Sequence, residues 1–361
     1  MIHLERRPEP SRLWTAVTPL LAVLATMVAG GIMFALLGTD PLEAIRTIFY
    51  DPLFNEQFAS YSRPQLLVKA APLILIATGL ALGFRAGIWN IGAEGQYIVG
   101  AICGAAAGLA LYPDAPRALV FPLMVICGLI GGLLWAMIPG ILRAYANTNE
   151  ILVSLLLVYV AEQMLAAVSL GILRNPEGAG FPGSRNLARW EPSANSELIA
   201  GTGAHWGVMA ALIAVVLAYI LLARHQMGFA IRVAGSAPRA ARFAGVEPSR
   251  LILFCFAVSG GLAGLAGLFE VAGPSGQISI DFNSGYGFTA IIVAFLGRLN
   301  PIGILLAGLL MALTYIGGEL AQFMLNLPSA AIQAFQGMLL FFLLGFDLLS
   351  NFRIRFGRAL A

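Results

Sequence analysis

The chain has few charged residues. Asp, Glu, Lys and Arg make up 11% of its 361 residues, whereas soluble domains contain about 25%. Hydrophobic residues make up 59%, more than one globular core of this size would bury. Apolar runs of about 20 residues, long enough to cross the hydrocarbon core of a bilayer as helices, recur along the whole length. The composition excludes a soluble globule and predicts an all-α, polytopic membrane protein.

Lysine, cysteine and histidine are scarce too, and their placement excludes several kinds of site. The single lysine, Lys69, lacks the preceding glycines and the following Ser or Thr of a phosphate-binding P-loop. The three cysteines lie singly in apolar runs, which is typical of core residues and not of disulfides. The three histidines share no metal-ligand spacing, and no catalytic triad or paired carboxylates stand out. We therefore expect a transport subunit, not an enzyme, with no metal and no cofactor bound by this chain.

Ten apolar segments are predicted to cross or enter the membrane. The eighth is short, and Gly297-Arg298-Leu299-Asn300-Pro301 breaks the apolar pattern just after it, so this segment is predicted to be a short or re-entrant helix. The ten segments are 14–38, 65–83, 88–111, 118–142, 149–173, 205–223, 251–272, 286–297, 301–322 and 329–349.

Basic residues orient these segments. With the N-terminus inside, 14 of the 21 basic residues fall in cytoplasmic segments and seven fall on the opposite side or at the adjoining helix ends. This excess follows the positive-inside rule and places both termini, 1–13 and 350–361, in the cytoplasm. The first apolar run is too long for the core of a signal peptide, so we expect it to be retained.

Two stretches outside the spans are large. Residues 174–204, rich in Gly, Pro, Asn and Ser, are predicted to lie outside, and residues 224–250 to form the longest cytoplasmic loop. Within the inner loop, Pro238 is predicted to begin a short helix that stops near Gly245. Phe243, set among small residues, fits a docking surface, and a basic loop at the lipid headgroups is the alternative.

A polar stretch interrupts the apolar pattern at residues 83–101, GFRAGIWNIGAEGQYIVGA. It holds Arg85, Asn90, Glu94 and Gln96, although unsatisfied polar atoms in hydrocarbon cost several kcal/mol each. We predict that these side chains face a cavity, a partner or a permeation path. A polar loop between two spans is the alternative, as is a Glu94 that pairs with Arg85 or a neighbouring helix and only stabilises the bundle.

Small residues at four-residue spacing predict helices that approach closely within the membrane. This pattern occurs in three apolar runs, at Gly100, Gly104 and Gly108, at Gly128 and Gly132, and at Gly260 and Gly264.

Three segments carry a family resemblance: 83–101, 147–159 (NTNEILVSLLLVY) and 284–310 (SGYGFTAIIVAFLGRLNPIGILLAGLL). They resemble the permease subunits of ATP-binding-cassette importers for simple sugars, nucleosides and branched-chain amino acids, and the likeness covers about residues 65–350. The motif IWNIGAEGQ resembles the corresponding segment of the purine-nucleoside branch. Permeases of that branch work with a basic-membrane-protein-type lipoprotein receptor. The inner loop is similar to the coupling loop of importer permeases, without the glutamate that opens that motif in many of them.

The resemblance implies one permease domain over residues 1–361, built from two related bundles of inverted topology. The polar breaks at 83–95 and 283–303 partly support this architecture. It also implies a location in a bacterial cytoplasmic membrane and a second, homologous but different permease chain. A cytoplasmic subunit would bind ATP and Mg, and an extracytoplasmic lipoprotein would bind the solute; no nucleic acid is expected. The residues predicted to contact the ATPase are Gly235, Ala240, Ala241, Phe243 and Gly245.

An uncharged solute is favoured because the predicted path has no cluster of one charge sign. Amide side chains offer donors and acceptors to a ribose or a base, and aromatic rings such as Tyr97 and Phe282 offer stacking surfaces. The residues predicted to form the path are Trp89, Asn90, Glu94, Gln96, Asn283 and Tyr286. The family likeness favours a nucleoside, with a simple, ribose-like sugar as the alternative.

A secondary transporter driven by an ion gradient is a further alternative. It would need carboxylates within the membrane as proton or sodium relays, and four of the five nominal candidates lie near predicted helix ends, where solvated positions are favoured. These candidates are Glu94, Glu162, Glu270, Glu319 and Asp347. An integral-membrane enzyme is a third class, but the sequence shows no convincing catalytic constellation.

Overall fold

A computed structural model describes residues 2–6 and 12–356, with side chains placed from 17 to 346. Much of the two predicted cytoplasmic tails, namely residues 1, 7–11 and 357–361, lies outside the described residues, as does the side chain of Asp347.

Helices make up most of the described chain. They are α1 (Arg12–Leu36), α2 (Pro41–Phe49), α3 (Asp51–Phe54), α4 (Glu56–Arg85), α5 (Ala93–Ala110), α6 (Arg117–Ala146), α7 (Glu150–Leu170), α8 (Trp206–Arg224), α9 (Gln226–Ser236), α10 (Pro238–Phe243), α11 (Pro248–Val271), α12 (Tyr286–Leu296), α13 (Pro301–Leu325) and α14 (Ser329–Asn351). A 3-10 turn spans Ile280–Phe282, and the short strands are β1 (Ile2–Arg6), β2 (Glu197–Ile199), β3 (Ala204–His205) and β4 (Phe352–Phe356).

The prediction of an all-α, polytopic fold is confirmed. In the described part of the chain, eight helices are long and apolar enough to cross a membrane: α1, α4, α6, α7, α8, α11, α13 and α14. Helices α5 and α12 occupy the remaining two predicted segments, 88–111 and 286–297. The short α12 matches the predicted short helix, and α5 is less apolar because Glu94 and Gln96 lie in its first two turns.

Several boundaries were predicted wrongly. Helix α4 begins at Glu56 and not near 65, because two polar turns precede its apolar part. Helix α5 begins at Ala93 and not at 88, since the Asn90 side chain accepts the Gly92 N–H at 3.0 Å and holds this segment in a turn. The predicted loop 224–250 is mostly helical, because α9 precedes α10. The short helix from Pro238 is confirmed, and it ends before Gly245, whose φ is +81°.

The described chain forms two compact units, and the single permease domain over residues 1–361 stays a prediction. One unit comprises residues 1–63 and 313–361, and the other comprises residues 64–312; the boundaries fall inside α4 and α13.

In the first unit, α1 packs against α14 and α2. The Phe34 and Phe335 rings stack at 5.7 Å, and a Cβ atom on Gly30 would overlap the Phe335 ring. Strand β1 pairs antiparallel with β4, with Ile2 opposite Phe356, so the two ends of the chain are joined by backbone hydrogen bonds. The tails were predicted without this pairing, because strands so distant in sequence leave no local signal.

In the second unit, α5, α6 and α11 pack closely against one another. Gly100 of α5 faces Gly264 of α11, and Gly132 of α6 faces Gly260 and Gly264. A Cβ atom at Gly100 or Gly132 would overlap the facing backbone. The close packing predicted from the small-residue spacing is therefore confirmed, and it fixes where α5 presents its first turn.

The stretch 174–204 also belongs to the second unit, and hydrogen bonds connect it to the rest of that unit. The Leu187 N–H donates to the Gly276 carbonyl at 2.7 Å, and the Arg117 guanidinium donates to the Ser196 hydroxyl at 2.9 Å. Strands β2 and β3 pair across its end with an irregular register.

The glycine contact gives a stability prediction. We expect Gly100→Val to lower the melting temperature of the purified protein in lipid nanodiscs, because added methyl groups would overlap α11; overpacking of this kind costs about 1–3 kcal/mol. Gly337→Val in α14 is the matched control, since a Cβ atom there meets nothing within 4 Å. Equal melting temperatures for the two variants would show that α5 and α11 do not pack as described.

Candidate functional site

The break between α4 and α5 is held by a buried amide pair. Asn90 Nδ2 donates to Gln96 Oε1 at 2.9 Å, and Gln96 Nε2 donates to Asn90 Oδ1 at 3.0 Å. Asn90 Nδ2 also donates to the Ser259 hydroxyl of α11 at 2.9 Å. On the other side, the Ser154 hydroxyl of α7 accepts the Ile91 N–H at 3.2 Å. These bonds satisfy polar groups that hydrocarbon would leave unpaired, and they join the break to α5, α7 and α11.

Glu94 caps a helix distant from it in sequence. Its side chain is fully buried, and its carboxylate accepts the Gly285 N–H at 3.1 Å and the Gly287 N–H, both at the N-terminus of α12. The N-cap residue of α12, Gly285, has a φ of +72° and no side chain with which to cap the helix itself. A carboxylate at this end satisfies free N–H groups and meets the positive end of the helix dipole. Glu94 therefore ties α12 to α5.

Asn283 makes further hydrogen bonds at the same end of α12. Its Nδ2 donates to Glu162 Oε1 of α7 at 2.8 Å, and its Oδ1 accepts the Gly285 N–H at 3.2 Å. Both Glu94 and Asn283 thus accept from the start of α12, and the Asn283 amide joins it to Glu162 of α7.

The aromatic residues of the site fall into two groups. Tyr97 stacks on Phe282 at 5.2 Å and meets the Tyr286 edge at 6.0 Å, and all three rings are buried. Trp89, in contrast, is 38% exposed. Its ring packs against Phe84 at 5.1 Å and Phe295 at 5.8 Å.

Five of the six predicted path residues therefore lie around the first turns of α5 and the start of α12. The sixth, Trp89, packs against Phe295 near the other end of α12. The lining of a solute path by all six stays a prediction. Asn90, Glu94, Gln96 and Asn283 all have hydrogen-bond partners within the chain, which supports the alternative that they position the bundle. Glu94 bonds to the backbone of α12, and not to Arg85 as one form of that alternative supposed.

The prediction that carboxylates near helix ends are exposed to solvent is wrong for Glu94 and Glu270. Glu94 and Glu270 are buried and Glu162 is partly buried, whereas Glu319 is exposed. Helix ends within a bundle are covered by other helices, so closeness to a helix end does not ensure contact with solvent.

Sequence reasoning missed Ser259 and Ser154, which complete the amide network. Both are buried hydroxyls within apolar spans. A lone Ser in such a run is the only local signal, and it does not name the partner, because Asn90 and Ser259 are 169 positions apart.

The five predicted coupling residues face different ways. Phe243 is 96% exposed, and Ala240 and Gly245 are exposed as well. Ala241 is only 3% exposed and packs inward, so its side chain cannot belong to an outward contact surface. Gly235 lies against the Arg85 carbonyl, which a Cβ atom would overlap.

Two hollows adjoin α10. A groove of about 420 Å³ lies between α9 and the segment 244–251. A second cavity, about 240 Å³, separates α10 from residues 86–88 of the polar break. Helix α10 thus lies beside the break that leads to Asn90.

Comparison with known proteins identifies the class. Residues 63–344 match the family described as the permease component of the branched-chain amino acid transport system, and the chain belongs to this family of ATP-binding-cassette permeases.

Three relatives are similar over nearly their whole length. The glucose ABC transporter permease protein of Haloferax volcanii is 34% identical over 97% of this chain and 92% of its own. The nucleoside ABC transporter permease protein of Lactococcus lactis is 29% identical over 91% of this chain and 90% of its own. The guanosine ABC transporter permease protein of Bacillus subtilis is 27% identical over 96% of both chains.

The Glu94 cap can be tested by substitution. We expect Glu94→Leu to lower the melting temperature and transport together, because it leaves the Gly287 N–H of α12 without its acceptor and takes one of two acceptors from the Gly285 N–H. A buried unsatisfied group costs about 1–3 kcal/mol. Glu94→Gln retains an acceptor oxygen and should restore most of both.

Glu43→Leu is the control, since Glu43 is an exposed glutamate in the first turn of α2. Unchanged stability in Glu94→Leu would contradict the capping role. Lost transport with unchanged stability would place Glu94 in the path itself.

Proposed function

We propose that this chain forms the translocation path of an ATP-driven importer for a small uncharged solute, with a nucleoside as the first candidate. The observation that carries the proposal is similarity over nearly the whole chain to permeases named for nucleosides and for a sugar. An uncharged solute suits the predicted path residues, because only one of the six, Glu94, is acidic, and the backbone of α12 already bonds to it.

The importer requires partners. We propose a second, homologous permease chain, a cytoplasmic subunit that binds ATP and Mg, and an extracytoplasmic lipoprotein that delivers the solute. In this arrangement the protein lies in the cytoplasmic membrane with both termini inside, residues 174–204 outside and residues 224–250 inside.

Helix α10 is the proposed contact with the ATPase. Its outward Phe243 stands beside the apolar-lined groove between α9 and residues 244–251, so a partner can bury this ring together with groove side chains such as Phe229. The arginines of α10, Arg239 and Arg242, suit acidic groups at the rim of the contact. Gly235 and Ala241 act differently, since both face their own chain and set how closely α10 approaches the break.

The coupling role predicts a loss of association. We expect Phe243→Ala to weaken co-purification with the ATPase, because truncating an aromatic anchor at an interface costs about 2 kcal/mol or more, roughly a 30-fold loss of affinity. Phe181→Ala is the matched control, since Phe181 is also a strongly exposed phenylalanine but lies in the stretch 174–204. Equal association of both variants with the ATPase would remove α10 from the contact.

The rings and hydroxyl groups that each candidate solute offers favour a nucleoside over a simple sugar. A nucleoside offers a base for stacking on the exposed face of Trp89 and a ribose for amide hydrogen bonds, whereas a simple sugar offers mainly hydroxyls. A sugar is the second candidate because the Haloferax volcanii relative is named for glucose.

Reconstitution separates these candidates. Liposomes containing this chain, its permease partner, the ATPase and the receptor should take up radiolabelled adenosine only with ATP, and guanosine should compete whereas glucose should not. Glucose uptake without adenosine uptake would establish the sugar alternative. Uptake by this chain alone under an ion gradient would overturn the ATP-driven assignment.

A further inference from the structure

A histidine away from the polar break has a defined tautomer. His205 precedes α8, and its Nδ1 accepts the Gly207 N–H at 3.0 Å. Asn195 Nδ2 lies 3.0 Å from the same Nδ1. The Asn195 amide is oriented by two further bonds, since its Oδ1 accepts the Trp206 N–H and its Nδ2 donates to the Phe269 carbonyl. Because both neighbours of Nδ1 are donors, the ring hydrogen is on Nε2.

This Nε2–H group is buried. His205 is 5% exposed, and Nε2 has no hydrogen-bond partner among the residues that the structure describes. Burial lowers the pKa of His205 to about 4, although the charge of Glu197 acts in the opposite direction. The ring is therefore neutral at pH 7 and carries one donor that needs an acceptor.

The ring borders a small cavity with an acidic wall. The cavity measures about 10 Å³ and is lined by His205, Glu270 of α11 and residues of α4 that include Ala71 and Pro72. A single water needs about 10–15 Å³ and at least two polar partners. Glu270 is buried as well, so His205 and Glu270 are the two residues of this lining with polar side chains.

We propose that one structural water binds in this cavity, accepts the hydrogen of His205 Nε2 and donates to the Glu270 carboxylate. The water then joins the start of α8 to α11, on a wall formed by α4. The inference is independent of the transported solute.

The water itself can be detected by hydroxyl-radical labelling of the full-length protein in nanodiscs. Radicals form from bound water, so we expect Phe269, which lines the cavity, to be labelled several-fold more than Phe84, which is similarly buried but lies away from it. His205→Phe should bring the labelling of Phe269 down to that of Phe84. Equal labelling of the two rings in the unmodified protein would overturn the proposal, and this comparison needs no variant.

A double-mutant cycle tests the bridge. His205→Phe and Glu270→Leu should each lower the melting temperature, and the double variant should lose clearly less than the sum of the two, since either change removes one partner of the same water. His225→Phe is the matched control: His225 caps α9 in the same way, with Nδ1 accepting the Met227 N–H at 3.1 Å, but its side chain is exposed.

The control variant combined with Glu270→Leu should show additive losses. Additive losses for the His205 pair as well would overturn the water bridge.

Discussion

The carboxylate of Glu94 at the N-terminus of α12 is the interaction on which the polar region depends. Helix α12 has 11 residues, too few to cross a bilayer, so at least one of its ends must lie where lipid offers no hydrogen bonds. Glu94 supplies acceptors for that end, and Asn283 adds another. A short helix is stable within the membrane because a neighbouring helix satisfies its first N–H groups.

The glycine contacts of α5 make this cap possible. Gly100 brings α5 against α11, so the first turn of α5 has a fixed position. Gly287 then allows the α12 backbone to approach Glu94, because a Cβ atom there would overlap the Glu94 backbone. Close backbone packing and a buried charge are thus parts of one arrangement, and a side chain added at either glycine would move the carboxylate from its donors.

Local pattern predicted much of the fold and less of the site. Apolar runs located each of the ten predicted segments on a helix of its own, and glycine spacing anticipated the α5–α11 contact. The sequence also marked Asn90, Glu94 and Gln96 as unusual, since polar groups in apolar surroundings need partners. It did not identify those partners, because Glu94 and Gly287 are 193 positions apart and only the folded chain brings them together. The start of α5 was misplaced for a different reason. The turn at Asn90 is not helical, but the residues on both sides of it are apolar, so it looks like part of the span.

The position of α10 shows how the proposed coupling would reach the polar region. Gly235 lies against the Arg85 carbonyl at the end of α4, and Ala241 packs inward beside the cavity that borders residues 86–88. A displacement of α10 by a partner would therefore act first on the break. The break is bonded through Asn90 to Gln96 of α5, and Glu94, in the first turn of that helix, holds α12. In the proposed coupling, a movement at α10 would reach the buried site through these backbone contacts and hydrogen bonds.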